Sequence, residues 1–264
     1  MKLPIYQVDA FAREVFKGNP AAIMPLEQWL NDATLQAIAM ENNLSETAYL
    51  VSRGKDYELR WFTPAVEVDL CGHATLAAAH VLFEHLDYAG DEIVFHTHSG
   101  ELKVRRSSAG LTLDFPPTGL VATEVDLAVC NALGAIASEA MIPVDNPGMV
   151  LYVYEFEEDV ASLSPDFAAL LVASKQCVIA TAPGDNCDFV SRFFGPQVGI
   201  DEDPVTGSAH CMLVPYWAAR LKSNTLQGRQ ISARGGDLVC ELRDGRVFMT
   251  GTGVTFMQGV VQGL

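Results

Sequence analysis

Leu3, Ile5 and Val8 sit among polar neighbours, the alternation of a strand, and predict strands over 3–9 and 20–24 around a turn at Lys17-Gly18-Asn19-Pro20. Leu26, Trp29, Leu30, Leu35, Ile38 and Ala39 recur at helical spacing and predict an amphipathic helix over 26–42. Strands over 47–51 and 57–62 follow, then an alanine-rich helix from Ala74 to about Leu86. The segments 92–98, 100–106 and 110–115 read as a meander turned by Ser99-Gly100 and Ala109-Gly110. Pro116-Pro117-Thr118-Gly119 breaks any strand and marks the boundary of a first domain, 1–115, with a second, 116–264, whose last strand is free to return to the first. Beyond it the pattern predicts a helix over 124–138, strands near 149–155 and 177–181 with a helix near 165–173 between them, and a strand over 189–194. A loop over 195–207 then leads to a helix over 208–221 and strands near 229–233, 237–242 and 246–250.

Composition narrows the class. The chain of 264 residues is 49% hydrophobic and 19% charged, as a soluble globular enzyme is. A formal net charge of −16 argues against nucleic acid and anionic membrane surfaces as partners, because both need basic patches. No apolar run reaches spanning length and the N-terminus lacks a signal-peptide core, so the cytoplasm is the expected address. The six cysteines form no Cys-x-x-Cys pair and read as free thiols rather than zinc ligands.

The candidate chemistry lies in a motif written twice. Gly72-His73-Ala74 in the first half aligns with Gly207-Ser208-Ala209 in the second, about half the chain away. Each is a glycine turn feeding a helix, whose first N–H groups have no intrahelical partner and whose dipole favours an anion. Facing each other across a two-domain cleft, the pair would hold a small carboxylate. Glu46, at the junction of a polar loop and an apolar strand, is the kind of carboxylate that serves as an acid/base. A helix start disfavours imidazolium, so a neutral imidazole that orients a ligand or relays a proton is expected at His73. Ser208 offers a hydroxyl and an N–H for binding; its surroundings lack the two flanking glycines of a nucleophile elbow. Asp201-Glu202-Asp203 has no His or Cys at ligand spacing, and no metal is expected. Asn19 is a weaker substrate contact, and Gly251-Thr252-Gly253 alone does not justify a nucleotide.

Several stretches in order resemble the phenazine-biosynthesis PhzF-like isomerase family. They are Val8-Asp9-Ala10-Phe11, Gly18-Asn19-Pro20, Ser45-Glu46-Thr47-Ala48, Arg60-Trp61-Phe62-Thr63-Pro64, Glu67 to Thr75 and Glu202 to Ala209; the stretch 120–180 carries little of the signature. The resemblance implies the α+β fold of diaminopimelate epimerase: two pseudo-duplicated domains, each with a mixed, mainly antiparallel sheet wrapped around a central helix. It also implies proton shuttling with no cofactor, and a homodimer. The family's known isomerase moves a proton along the ring of a dihydro-hydroxyanthranilate. The resemblance assigns Glu46 the acid/base role and puts Asp203 in a proton network with His73, with Gly72, Thr206, Gly207 and Ser208 binding substrate. The related epimerases use two opposed cysteines; Cys71 stands at the first position, but Thr206 at the second. An amino-acid or hydroxy-acid epimerase using Cys71 as a base is therefore an alternative, and a non-catalytic binding protein of the same fold is another.

Overall fold

The computed structural model describes residues 2–144 and 147–263. In chain order the elements are β1 (Lys2–Ala10), β2 (Asn19–Leu26), α1 (Asp32–Asn42), β3 (Glu46–Arg53), β4 (Asp56–Phe62), β5 (Glu67–Val68), α2 (Gly72–His85), β6 (Glu92–Thr97), β7 (Gly100–Ser107) and β8 (Gly110–Phe115). They continue with β9 (Leu120–Thr123), α3 (Leu127–Leu133), β10 (Glu139–Pro143), β11 (Met149–Val153), α4 (Glu157–Ala161), α5 (Phe167–Ala173), β12 (Cys177–Pro183) and β13 (Phe189–Gly195). After a 3-10 turn at Pro196–Val198 come β14 (Ile200–Asp203), α6 (Gly207–Leu221), β15 (Thr225–Gln230), β16 (Gly236–Arg243), β17 (Arg246–Gly251) and β18 (Gly253–Gln262). Residues 1–114 and 249–264 form one compact unit and 115–248 a second. No helix among the described residues is long and apolar enough to cross a membrane.

In the first unit, β18 pairs antiparallel with β1 and β1 with β2, β2 runs parallel to β3, β3 pairs antiparallel with β4, and β4 pairs with β5 on one side and runs parallel to β6. The second unit repeats the series: β9, β10 and β11 are antiparallel, β11 is parallel to β12, β12 and β13 are antiparallel, and β13 pairs with β14 and runs parallel to β15. The sheets are thus mixed and mainly antiparallel, and their order is duplicated.

Each unit has one deeply buried helix. In α2 every residue from Gly72 to Ala79 is buried, and small side chains let β1, β2 and β3 pack closely on it. Leu76 and Leu82 are fully buried there, each stabilising the unit by about 2 kcal/mol. In α6, Ala209 to Val214 and then Trp217 and Ala218 are buried, with Trp217 stacked on Phe189 of β13.

The elements differ from the sequence pattern in several places: β9, β10 and α4 were not foreseen, β14 lies within the expected loop over 195–207, and β15 runs over 225–230 rather than 229–233. α1 starts at Asp32, not 26, because Asn31 caps it by accepting from the Thr34 N–H. Leu26 ends β2 instead, and Trp29 and Leu30 pack on the core from extended chain. The helix foreseen over 124–138 is confined to 127–133 by an Asp126 cap and by Gly134 in the left-handed region. The tail carries a further strand, β18, that its glycines concealed.

Candidate active site

Two glycine-led turns set up the first cluster. Gly18 has φ +65, and a Cβ there would lie 2.1 Å from the Ala10 carbonyl oxygen, so only glycine turns the chain into β2. The parallel pairing of β2 with β3 places Ala21 opposite Glu46, which brings Asn19 and Glu46 to one end of the sheet. The start of α2 meets them there. Its N-cap is Cys71, in extended conformation; the Ala74 N–H lies against its sulfur, while the Gly72 and His73 N–H groups have no intrahelical partner.

His73, the second residue of α2, lies between the others. Its Nδ1 is 3.2 Å from Asn19 Nδ2 and 3.5 Å from Cys71 Sγ, and its Nε2 is 3.0 Å from Glu46 Oε2. The His73 and Glu46 side chains are only 5% and 12% exposed. Their facing atoms stand at ion-pair distance without the alignment of a hydrogen bond, and neither has another hydrogen-bond partner. An amide nitrogen only donates, so with Nδ1 as acceptor the Nε2 proton faces the Glu46 carboxylate.

Burial pushes the Cys71 thiol up to about 11, with the neighbouring Glu46 adding to the shift. Cys71 is therefore a neutral thiol near pH 7. Burial lowers the His73 pKa, but Cys71 and Glu46 raise it further, and the net shift is well upward. A carboxylate 3.0 Å from Nε2 favours a proton on that nitrogen, the one that carries it in the tautomer whose Nδ1 accepts from Asn19.

Donor atoms of Glu46, Cys71 and His73 lie within 4.8 Å of one another, a cluster the sequence did not suggest as a metal site. The thiol and the carboxylate approach opposite ring nitrogens, an arrangement suited to passing a proton through the ring rather than to gripping one ion.

The second cluster is built around the start of α6. Thr206 is its N-cap, extended and without a side-chain cap bond. Its hydroxyl donates to Asp203 Oδ2, and its N–H donates to Gln230 Oε1 at 2.8 Å. Gln230 Nε2 donates to the Asp203 carbonyl at 2.7 Å and to Thr206 Oγ1 at 3.2 Å. Ser208, next to the buried Gly207, is exposed. His210 is fully buried and donates from Nδ1 to the Thr206 carbonyl at 2.8 Å; burial lowers its pKa to about 4, so it stays neutral. Glu202 is held by Arg192.

The structure therefore gathers Asn19, Glu46, Cys71, Gly72 and His73 in the first unit and Asp203, Thr206, Gly207 and Ser208 in the second. Gln230 was missed. It occupies an inward position of β15, where Leu226, Gly228 and Gln230 alternate with exposed residues, and a polar residue on such a face is the available signal. Placing the strand at 229–233 hid that alternation. Other histidines have structural partners: His80 and His85 both meet Thr255 Oγ1, and His96 lies between Asp56 and Glu101.

A family model described as phenazine biosynthesis-like protein matches residues 8–259. A Pseudomonas aeruginosa protein named as an uncharacterized isomerase is 51% identical over 99% of both chains. The crystal structure of a PhzF-family phenazine biosynthesis protein from Enterococcus faecalis is 48% identical, covers 99% of this chain and 100% of its own, and superposes with a TM-score of 0.95. A hydroxyproline epimerase from Agrobacterium vitis, 12% identical with TM-score 0.61 over 98% of this chain and 92% of its own, shares the fold. The fold is thus the α+β, diaminopimelate epimerase-like one.

Proposed function

The chain belongs to the phenazine biosynthesis-like family, and on that premise we propose that it is an isomerase moving a carbon-bound proton on a small carboxylate substrate, with no cofactor. The observation that carries this reading is the buried Glu46 carboxylate facing His73 at 3.0 Å, beside the open N–H groups of a helix start.

Glu46 takes a proton from carbon: the C–H bond breaks, an O–H bond forms, and the electron pair passes into the unsaturated system beside the substrate's carboxylate. The proton returns from Glu46 to a different carbon. His73, adjacent through Nε2, steadies the carboxylate between the two transfers and can share its proton. The substrate's carboxylate is taken up by the N–H groups at the start of α2, where developing charge is stabilised, and the start of α6 offers an anion site of the same kind in the second unit. Ser208 adds a hydroxyl, and Asp203 orients Thr206. A positioned acid/base of this kind supplies about 10²–10⁴-fold. The proposal includes a homodimer working in the cytoplasm, which light scattering and cell fractionation test.

An epimerase using Cys71 has less support. The Cys71 thiol holds its proton up to about pH 11, and the matching position in the second unit is Thr206, whose hydroxyl is engaged with Asp203. A purely binding role gives no reason for a buried carboxylate facing an imidazole.

Proton NMR in D2O tests the reading, with the dihydro-hydroxyanthranilate and a panel of small amino and hydroxy acids, and with Glu46→Gln alongside. Deuterium entering at carbon only with Glu46 intact is the expected result, and its position separates isomerisation from racemisation. Binding without any exchange would overturn the proposal in favour of a binding protein.

A further inference from the structure

The segment from Glu67 to Thr75 and the segment from Glu202 to His210 match position for position, and the same contacts hold both. Arg60 on β4 donates from Nε and Nη2 to the two carboxylate oxygens of Glu67, each at 2.7 Å. Arg192 on β13 does the same to Glu202, at 2.8 and 2.9 Å. In both units the guanidinium also covers a phenylalanine two residues along its strand, Phe62 at 5.1 Å and Phe194 at 4.8 Å. Each phenylalanine is the register partner of the clamped glutamate.

Two further contacts recur. The Ser99 hydroxyl donates to the Asp69 carbonyl at 2.8 Å, and the Ser232 hydroxyl to the equivalent Pro204 carbonyl at 2.9 Å. Thr75 donates its hydroxyl to the carbonyl of the N-cap Cys71, and His210 donates Nδ1 to the carbonyl of the N-cap Thr206. The last pair uses different residue types for one bond, so the match extends to geometry and not only to spelling. Neither N-cap residue caps its helix through a side-chain oxygen. Side chains hold the approach to each helix and its first carbonyl, while its first two N–H groups are left for something else.

We infer that Arg60 and Arg192 are positioning residues, each of which, with its glutamate and a turn serine, holds a helix start in the arrangement that receives an anion. The inference rests on the proposed function only in what the starts are for. A bidentate guanidinium–carboxylate pair is directional, and these two are mostly shielded from water, so each fixes the chain entering its helix more firmly than an exposed pair would. Arg60 makes an additional contact with Asp32, whereas Arg192 also donates to the Val160 and Leu163 carbonyls. Removing the glutamate's charge is therefore the cleaner perturbation.

The test is amide hydrogen exchange by NMR on the full chain, with no ligand added. Glu67→Gln is expected to speed exchange at the first hydrogen-bonded amides of α2, Thr75, which donates to the Cys71 carbonyl, and Leu76, by about tenfold, the loss of one charge-assisted hydrogen bond, while the corresponding first-turn amides of α6, His210 and Cys211, keep their rates. Glu202→Gln is expected to do the reverse. The His73 ring signals should move in Glu67→Gln and stay in place in Glu202→Gln. The conservative variants Glu67→Asp and Glu202→Asp, which keep the charge, should restore most of the protection. Unchanged exchange at the helix starts, an even rise across a whole unit, or aspartate variants no better than glutamine would each overturn the inference. Should a glutamine variant fail to fold, Ser99→Ala and Ser232→Ala replace it with the same expected locations. Because no substrate enters the experiment, failure to incorporate deuterium at carbon would count against the proposed reaction and leave this result standing.

Discussion

Cys177 occupies in the second unit the place that Glu46 occupies in the first. Thr47 pairs with Phe62 across β3 and β4, and Val178 pairs with Phe194 across β12 and β13; Glu46 and Cys177 are the residues just before, each at its strand's first position. Where one unit has a carboxylate, the other has a thiol whose pKa burial raises, with Asp203 adding to the shift. The proposed acid/base, Glu46, and the imidazole facing it thus both lie in the first unit.

That asymmetry sets an expected ranking of variants. Glu46→Gln should fold with near-native stability and lose about 10²–10⁴ of turnover. Cys71→Ser should lose less than about tenfold, since it replaces one neutral weak donor with another. Cys177→Ser should be close to wild type. Deuterium incorporation rates, with melting temperatures as the control, check the order; a collapse in Cys71→Ser equal to that in Glu46→Gln would support a thiol base.

His210 predicts a pH dependence of stability. Its folded pKa, lowered to about 4, lies below the ordinary histidine value near 6.5. Between these values the unfolded chain binds the proton and the folded chain does not, so stability present above about pH 6.5 is lost as pH falls to about 4. The loss from this residue is about 3 kcal/mol at most. His73 acts in the opposite sense: its raised pKa adds stability that is complete below about pH 6.5 and disappears as pH rises through the native value. Urea denaturation at pH 7 and pH 4.5 should show a smaller acid loss in His210→Gln than in wild type.

Gln230→Leu should cost about 2–6 kcal/mol. The Thr206 N–H and the Asp203 carbonyl would each lose a buried partner, at about 1–3 kcal/mol apiece. The same variant should weaken anion binding at the start of α6, measured with benzoate as probe, because the N-cap loses its anchor. Full stability in Gln230→Leu would show that water replaces the side chain.

Gly18→Ala combines a left-handed φ with a Cβ 2.1 Å from a backbone oxygen. The conformational strain alone costs about 1–2 kcal/mol. The chain must shift at Asn19, so the His73 ring signals should move even though the substitution is remote in sequence. Native-like stability together with unmoved His73 signals would contradict the role given to this turn.

Much of this was legible in the chain because its signals are local. Alternation at Leu3, Ile5 and Val8, the alanine run after Gly72 and the repeated glycine starts each specify an element without help from elsewhere. The start of α1 was misread because Leu26, Trp29 and Leu30 keep helical spacing although the capping Asn31 follows them. β18 escaped because its apolar positions are interrupted by glycines and it finds its pairing partner in β1, at the opposite end of the chain. The clamps of Arg60 and Arg192 and the anchor at Gln230 depend on pairing between strands, which periodicity within one strand does not encode.

The burial of Glu46 also bears on the fate of the proton once it has left carbon. A carboxylate only 12% exposed, with an imidazole against one oxygen, exchanges its acquired hydrogen with bulk water more slowly than an open one does. The hydrogen delivered to the second carbon would then often be the one removed from the first. A substrate labelled with deuterium at the donor carbon and turned over in ordinary water would carry part of that isotope into its product, so the molecule keeps a memory of its own atoms that solvent labelling alone would understate.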